Sequence, residues 1–449
     1  MDIARRIRSL AIRLITDPER RERRRARAER RRQRCGEPHV VHYFHQVDDP
    51  YSRLAAQGIA PLLARFDIEL VFHPVASASP SAIHDPHLWS QWAAADTAAV
   101  APYWRCGDRP ARLRPPAGPA DAAPLALAQA LLCLSRPAQD QAQLAMVLGD
   151  ALAQGDHEAI ATLAHEASLP ASDAVTARLR SGHALRHRLG HYLSGMFCYA
   201  GEWYWGLDRL HYLEARLTAL GARRPDAPDG PSARIEVPAA PPPIPGRRLT
   251  LHFFPSLRSP YTHLSYDRIN DLVRRYPLDL VVRPVLPMMM RGVKADRRKT
   301  TYILFDTRRE AEALGIAFGH AWDPFGEPIR RAYSLFPWAR DQGRAMAYLQ
   351  AYSDAVWAQA VDAWDLRGLR QIVERAGLDW AGAEAVLDSR TWATEMEANV
   401  QAMIAAGSWG VPSFHLPAAD GQPAFTLWGQ DRIWRLEAEI ATRLGSSPA

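Results

Sequence analysis

Phe253-Phe254-Pro255-Ser256-Leu257-Arg258-Ser259-Pro260-Tyr261-Thr262-His263-Leu264 is the stretch on which the fold turns. Leu249 to Phe254 reads as a buried strand, followed by a short turn and a helix starting near Ser259. Ser259 suits the N-cap and Pro260 the first helical position. A strand, turn and helix of this kind aim free backbone N–H groups and the positive helix end at one small volume, which favours a thiolate or a carboxylate. An earlier stretch, His42-Tyr43-Phe44-His45-Gln46-Val47-Asp48-Asp49-Pro50-Tyr51-Ser52, is nearly the same, with Asp49 in the place of Ser259.

The likeness extends outward on both sides. At a constant offset of 210, His42, Phe44, Pro50, Tyr51, Leu54, Ile59, Leu62, Arg65, Leu70, Val71, Pro74 and Val75 meet identical residues, and the register persists to Asp96-Thr97 against Asp306-Thr307. A gapless match of this length predicts a duplicated domain. Residues 39–75 and 249–285 each read strand, helix, strand, with the first helix running from Pro50 to Arg65. Residues 123–189 and 299–406, rich in Ala, Leu and Arg, read as helical inserts. The repeat then resumes: Gly190 to Phe197 aligns with Gly407 to Phe414, and Trp205-Gly206-Leu207-Asp208-Arg209 with Trp428-Gly429-Gln430-Asp431-Arg432. The second hairpin is six residues longer. Arg223 to Arg248, with its Pro241–Pro243 run, reads as a semi-extended linker.

At 449 residues the chain has the length for two or three domains. No apolar run reaches the roughly 18 residues that span a bilayer, and Arg5, Arg6, Arg8 and Arg13 break the stretch a secretory signal would need. Residues 1–34 hold fourteen Arg and five acids, a net +9 of the chain's +6, so the remainder carries −3. Ile3, Ile7, Leu10, Ala11, Leu14 and Ile15 fall at helical spacing between these arginines. Such a segment suits an anionic membrane surface or nucleic acid; a solvated helical extension is the plainer alternative. The four cysteines, Cys35, Cys106, Cys133 and Cys198, form no CxxC pair and leave the second half without any. This favours a reducing, cytoplasmic setting and argues against a disulfide framework. Cys198 is expected to be buried in a strand.

The order β-α-β, helices, β-β-α, with Val411-Pro412 before the third strand, is that of a thioredoxin fold with a helical insertion. Phe254, Ser259-Pro260-Tyr261, Gly410-Val411-Pro412-Ser413-Phe414 and Trp428-Gly429-Gln430-Asp431-Arg432 resemble the DsbA-like superfamily. Within it they are most similar to the branch of 2-hydroxychromene-2-carboxylate isomerases and kappa-class glutathione transferases. The expected organisation is an Arg-rich tail (1–36), a degenerate DsbA-like thioredoxin domain (37–220), a Pro-rich linker (221–248) and a second DsbA-like thioredoxin domain with the candidate active site (249–445).

The resemblance implies that Ser259 is the catalytic residue, holding a glutathione sulfur, and that Pro412 is cis and exposes the Val411 backbone to the glutathione cysteine. It further implies that Gln430 and Asp431 hold the γ-glutamyl group. Taken alone, Ser259 could be only an N-cap, Pro412 a turn, and Asp431 a helix charge or a partner of Arg432. The loop Arg291 to Lys299 carries the chain's only lysines, Lys294 and Lys299. Lys294 is a candidate for binding a carboxylate, solvated surface charge being the alternative; the loop lacks the Asn expected of the isomerase branch. Met288-Met289-Met290 can line an apolar pocket or fill a core. No metal site is expected. Ser259 and Thr262 stand at the CxxC positions, so dithiol exchange is chemically excluded there. The resulting expectation is a glutathione-linked isomerase or transferase acting on a small-molecule electrophile. The first copy is then an inactive, pseudo-dimeric partner, with Asp49 for Ser259 and Gly195 for Pro412. The alternative is a non-catalytic thioredoxin-fold binding or scaffold protein with a membrane- or nucleic-acid-associating tail.

Overall fold

The computed structural model describes residues 3–79, 83, 85–116, 118–292 and 296–445. In the N-terminal half, strand β1 (Val40–His45) pairs in parallel with β2 (Glu69–Pro74). A parallel pair needs a crossover, and residues 50–65 supply it. They form two helices and not the single predicted one: Pro50–Ala56 and Ile59–Arg65. The break is at Gly58, where a Cβ would lie 2.8 Å from the Leu207 side chain. Two strands then form a small hairpin, β3 (Trp104–Cys106) and β4 (Arg109–Pro110). Helices Ala122–Leu132, Ala138–Gln154, His157–Glu166 and Ser172–Arg188 make up the predicted insert; Pro86–Val100 is helical ahead of it. Strands β5 (Met196–Tyr199) and β6 (Glu202–Trp205) complete a four-stranded sheet of order β2-β1-β5-β6, with β5 antiparallel to both neighbours.

The linker departs from expectation. Ala233–Ile235 is a strand, β7, that pairs antiparallel with β3. Side chains add to this pairing: the buried Ser232 N–H donates to Glu214 Oε1 at 2.9 Å, Arg234 donates to the Gly107 carbonyl at 2.9 Å, and Arg105 pairs with Glu236 at 2.7 Å. Proline content alone hides such a strand, because its three residues lie between proline clusters.

In the C-terminal half, β8 (Leu249–Phe254) pairs in parallel with β9 (Leu278–Val282) through helices Pro260–His263 and Tyr266–Arg275. Six helices between Arg297 and Ala405 follow, then β10 (Ser413–Leu416), β11 (Phe425–Trp428) and helix Ile433–Gly445. The sheet order, β11-β10-β8-β9, has the same connections and directions as the first. One face buries Leu251, Phe253, Phe414 and Leu427 with Ile269 and Leu436, and the Phe253 and Phe414 rings stack 5.5 Å apart. The core continues into the insert through fully buried Tyr333, Phe336, Tyr348 and Tyr352.

The two halves repeat side-chain bonds as well as topology. Tyr51 donates to Asp96 at 2.8 Å, and Tyr261 donates to Asp306 at 2.8 Å. The His42–His73 contact of 3.0 Å is matched by Arg283 donating to His252 at 2.9 Å.

The chain divides into two compact units: Met1–Arg21 with Ala239–Ala295 and Thr300–Ala449, and Glu22–Pro238 with Asp296–Lys299. The N-terminal segment is therefore not one free tail. Helix Ile3–Thr16 belongs to the unit of the C-terminal sheet, where Ile12 joins the core. Helix Pro18–Cys35 buries none of its residues. No helix among the described residues is long and apolar enough to cross a membrane.

Candidate active site

Strands β8 and β10 run antiparallel, so the end of one lies beside the start of the other. Ser413 pairs with Phe254. This brings the Val411–Pro412 bond, which is cis as expected, to the same sheet end as the turn leading to Ser259. Ser259 is half-buried and extended (φ −85°, ψ 115°), and its Oγ accepts the Thr262 N–H at 3.1 Å. Thr262 Oγ1 in turn accepts the Ser256 N–H at 3.4 Å. The Leu257 N–H is held by Tyr333 Oη at 3.2 Å, and Tyr333 donates to the Val285 carbonyl at 2.9 Å. The turn before Ser259 is thus fixed by buried hydrogen bonds on both sides, which keeps a short helix start in one place.

Across from it, the backbone N–H and C=O of Val411 make no hydrogen bond among the described residues. The loop is seated by its neighbours. Ser413 Oγ donates to the Gly410 carbonyl at 2.8 Å, and a Cβ at Gly410 would lie 2.0 Å from the Trp428 ring. Only glycine lets the backbone pass this close to the indole.

Residues 250–441 match the family model of the DSBA-like thioredoxin domain. Residues 250–441 are a DsbA-like thioredoxin domain. Among solved structures, the chain is similar to a 2-hydroxychromene-2-carboxylate isomerase at 22% identity, covering 43% of this chain and 94% of that one, with a TM-score of 0.36. It is also similar to a probable DsbA oxidoreductase from Streptomyces coelicolor at 19% identity, covering 44% and 89%, TM-score 0.34. A third is the cytosolic disulfide reductase DsbM from Pseudomonas aeruginosa with GSH, at 16% identity, covering 43% and 100%, TM-score 0.32. No curated protein matches the chain in sequence.

Within the DsbA-like domain the remaining expected site residues fare differently. Gln430 is buried and its side chain is already engaged. Its Oε1 accepts from Arg268 at 2.7 Å, and its Nε2 donates to Glu310 at 2.6 Å. Asp431 lies 4.0 Å from Arg432. Lys294 lies outside the described residues. Next to it, Arg291 is committed to two carbonyls, Leu286 at 3.1 Å and Trp409 at 3.1 Å, so this part of the basic loop braces the segment before Pro412. Among the described residues no group of three or more His, Cys, Asp or Glu is placed to hold a metal.

The sequence reading missed Arg258. Its guanidinium lies 3.6 Å from the buried Asp323 carboxylate and 4.6 Å from the Phe325 ring centre. Burial lowers its pKa and Asp323 opposes this. It puts a positive charge one residue from Ser259, which favours an anion there. A signal was present, since Asp48 holds the corresponding place in the earlier stretch.

The matching corner of the N-terminal half is filled. Asp49 caps its helix, accepting the Ser52 N–H at 3.0 Å and the Ser52 hydroxyl at 2.7 Å. Burial pushes its carboxyl up to about 6. Arg186, fully buried, donates to the Ser77 carbonyl at 2.8 Å and to Leu193 and Ser194 at 3.3 Å each. Ser194 donates to Gln46 at 3.0 Å, and the Gly195 N–H donates to the Phe44 carbonyl at 2.9 Å. In the alignment of the halves Met403 stands at the place of Arg186, packed with Phe254, Val285 and Val400. Cys198 lies buried in β5 as expected, its thiol pushed up to about 12 by burial.

Proposed function

We propose that the C-terminal domain is a glutathione-linked isomerase or transferase for small conjugated carbonyl compounds. One observation carries the reading: a capping hydroxyl at a helix start, Ser259, shares a sheet end with an unpaired backbone segment, Val411. The unpaired N–H and C=O suit the cysteinyl residue of glutathione, which adds to the edge as an extended strand does. The Ser259 hydroxyl and the helix-start N–H groups then meet the sulfur and favour its thiolate, with Arg258 adding positive charge. Gln430 is assigned to bracing and not to direct contact, given its bonds to Arg268 and Glu310.

The chemistry follows from that thiolate. It adds to the β-carbon of an enone, forming a C–S bond and placing the electron pair on the carbonyl oxygen. Rotation in the adduct and expulsion of the thiolate breaks the C–S bond and returns an isomer with no net oxidation. Protonation at carbon instead gives a conjugate. Disulfide exchange is not available, because residues 249–445 contain no cysteine.

We assign the N-terminal half as a degenerate thioredoxin-like copy without this chemistry. Asp49 places a carboxylate where the thiolate must sit, and Arg186 with Ser194 occupies the neighbouring space. The test is titration of the full chain with reduced glutathione, followed by calorimetry and by the ultraviolet absorption of the thiolate. Saturable binding with thiolate formation below the pKa of free glutathione is expected. Absence of binding at millimolar glutathione overturns the proposal.

A further inference from the structure

Helix Ile3–Thr16 buries Ile12 but leaves a second apolar row exposed. A surface helix ordinarily turns its apolar stripe to the core and its charges to water. Here this row faces away: Ile3, Ile7, Leu10 and Leu14 are 74%, 63%, 57% and 41% exposed. Their spacing of four, three and four residues lines them along one side over about 17 Å. The opposite side, Arg5, Ser9, Ile12 and Thr16, binds the domain, with Ile12 in its core. Arg8 Nε meets Asp323 at 2.6 Å, Ser9 Oγ accepts the Asp323 N–H at 2.9 Å, and Arg13 donates to the Ala321 carbonyl at 3.1 Å. Thr16 donates to the Gly319 carbonyl at 3.3 Å, and Arg5 lies 3.7 Å from Asp362. The stripe cannot roll inward without breaking these bonds, so its exposure is built into the fold.

We propose that this stripe docks on an anionic lipid bilayer, with the helix lying in the plane of the interface. Charge selects this occupant. Arg5, Arg8 and Arg13 are turned to the domain, but residues 18–34, which continue the chain from this helix, hold ten Arg and three Glu, a net +7 that complements acidic headgroups while the aliphatic row enters the acyl boundary. A second copy brings the same positive charge to the contact and is repelled. Nucleic acid accepts the arginines but offers nothing to four exposed aliphatic side chains. At 14 residues the helix is too short to span, which leaves the interface as its place. Electrostatic attraction and apolar insertion act together, and neither suffices alone for stable anchoring.

The experiment is flotation of the full-length protein with vesicles of phosphatidylcholine alone and of phosphatidylcholine mixed with phosphatidylglycerol. Wild type is expected to float with the acidic vesicles only and to be released by rising salt. The double variant Ile7→Glu/Leu10→Glu is expected to partition about tenfold more weakly or less, with an unchanged melting curve. Should that variant fold poorly, Ile3→Ser/Leu14→Ser at the stripe's two ends reads the same face. No flotation of wild type, or equal flotation of stripe variants that fold, overturns the proposal. So does a wild-type dimer that the stripe variants convert to monomer, which assigns the face to a second copy. Glutathione titration of the same samples is independent of either result.

Discussion

Replacing Ser259 by Asp separates its two assigned tasks. As a cap, Ser259 Oγ accepts the N–H of Thr262, a fully buried residue, at 3.1 Å. Ser259→Ala removes that acceptor and is expected to cost about 1 kcal/mol, within the usual span of about 0.5–2 kcal/mol for a lost cap. In a unit of about 200 residues this lowers Tm by about 2–4 °C. Ser259→Asp restores an acceptor, and Asp49 shows the geometry by capping the equivalent helix at 3.0 Å. Its stability is therefore expected within a few tenths of a kcal/mol of wild type. Binding behaves otherwise. A carboxylate about 4 Å from a thiolate costs about 1 kcal/mol in water and about 4 kcal/mol at the effective dielectric of a protein surface. Glutathione affinity is then expected to fall by about fivefold to about a thousandfold. The assay is thermal unfolding with and without glutathione, where a ligand at a hundred times its Kd adds about 2.7 kcal/mol. If Ser259→Asp melts like wild type and keeps the full glutathione shift, Ser259 is a cap and nothing more.

Gly410→Ala is expected to destabilise by about 1–3 kcal/mol and to weaken glutathione binding, because the new methyl runs into the Trp428 ring; urea titration and calorimetry check both. Arg186→Ala is expected to cost about 3 kcal/mol or more, since it leaves the Ser77 and Leu193 carbonyls without their donor, yet to leave glutathione affinity unchanged. Tyr51→Phe and Tyr261→Phe each remove a Tyr–Asp bond of 2.8 Å and are expected to lose about 1 kcal/mol apiece, additively in the double variant. Burial holds His73 and His252 down at about 4 and His45 at about 3, so all three are neutral in the native chain. Their contribution is fully present above about pH 6.5 and is lost as pH falls toward about 4, because over that range the unfolded chain binds protons that the buried native imidazoles exclude. Urea midpoints are expected to drop between pH 7 and pH 5, with a shallower drop in His252→Gln; equal slopes contradict this.

Much of the fold was legible because periodicity and punctuation act locally. The aromatic strand Leu249–Phe254, the cap at Ser259 and Pro260 at the first helical position need no distant partner to be read. The offset of 210 then carried the same reading to the earlier stretch, and the sheets bear out its strand order. What escaped depends on contacts that one sequence does not display. At the break in the crossover helix, Leu207 packs close against Gly58, about 150 residues away in sequence. The strand at Ala233–Ile235 exists because it pairs with β3, a strand far away in sequence. At the site, Ser259 and Pro412 announce themselves by residue type, whereas the engagement of Gln430 required seeing Arg268 and Glu310 beside it. The arginine-rich start showed its charge and its stripe, but not which side the stripe would face.

Asp323 gives that start a second meaning. One nearly inaccessible carboxylate receives Arg8 from the first helix and Arg258 from the residue before Ser259. A shortened chain that begins after the arginines, the obvious choice for expressing the sheet domains, strips one cation from a buried acid. Arg258 is then drawn more strongly toward Asp323, and the charge beside Ser259 changes although no residue of the pocket has been touched. Preparations with and without the first helix are, for this reason, different samples of the same site.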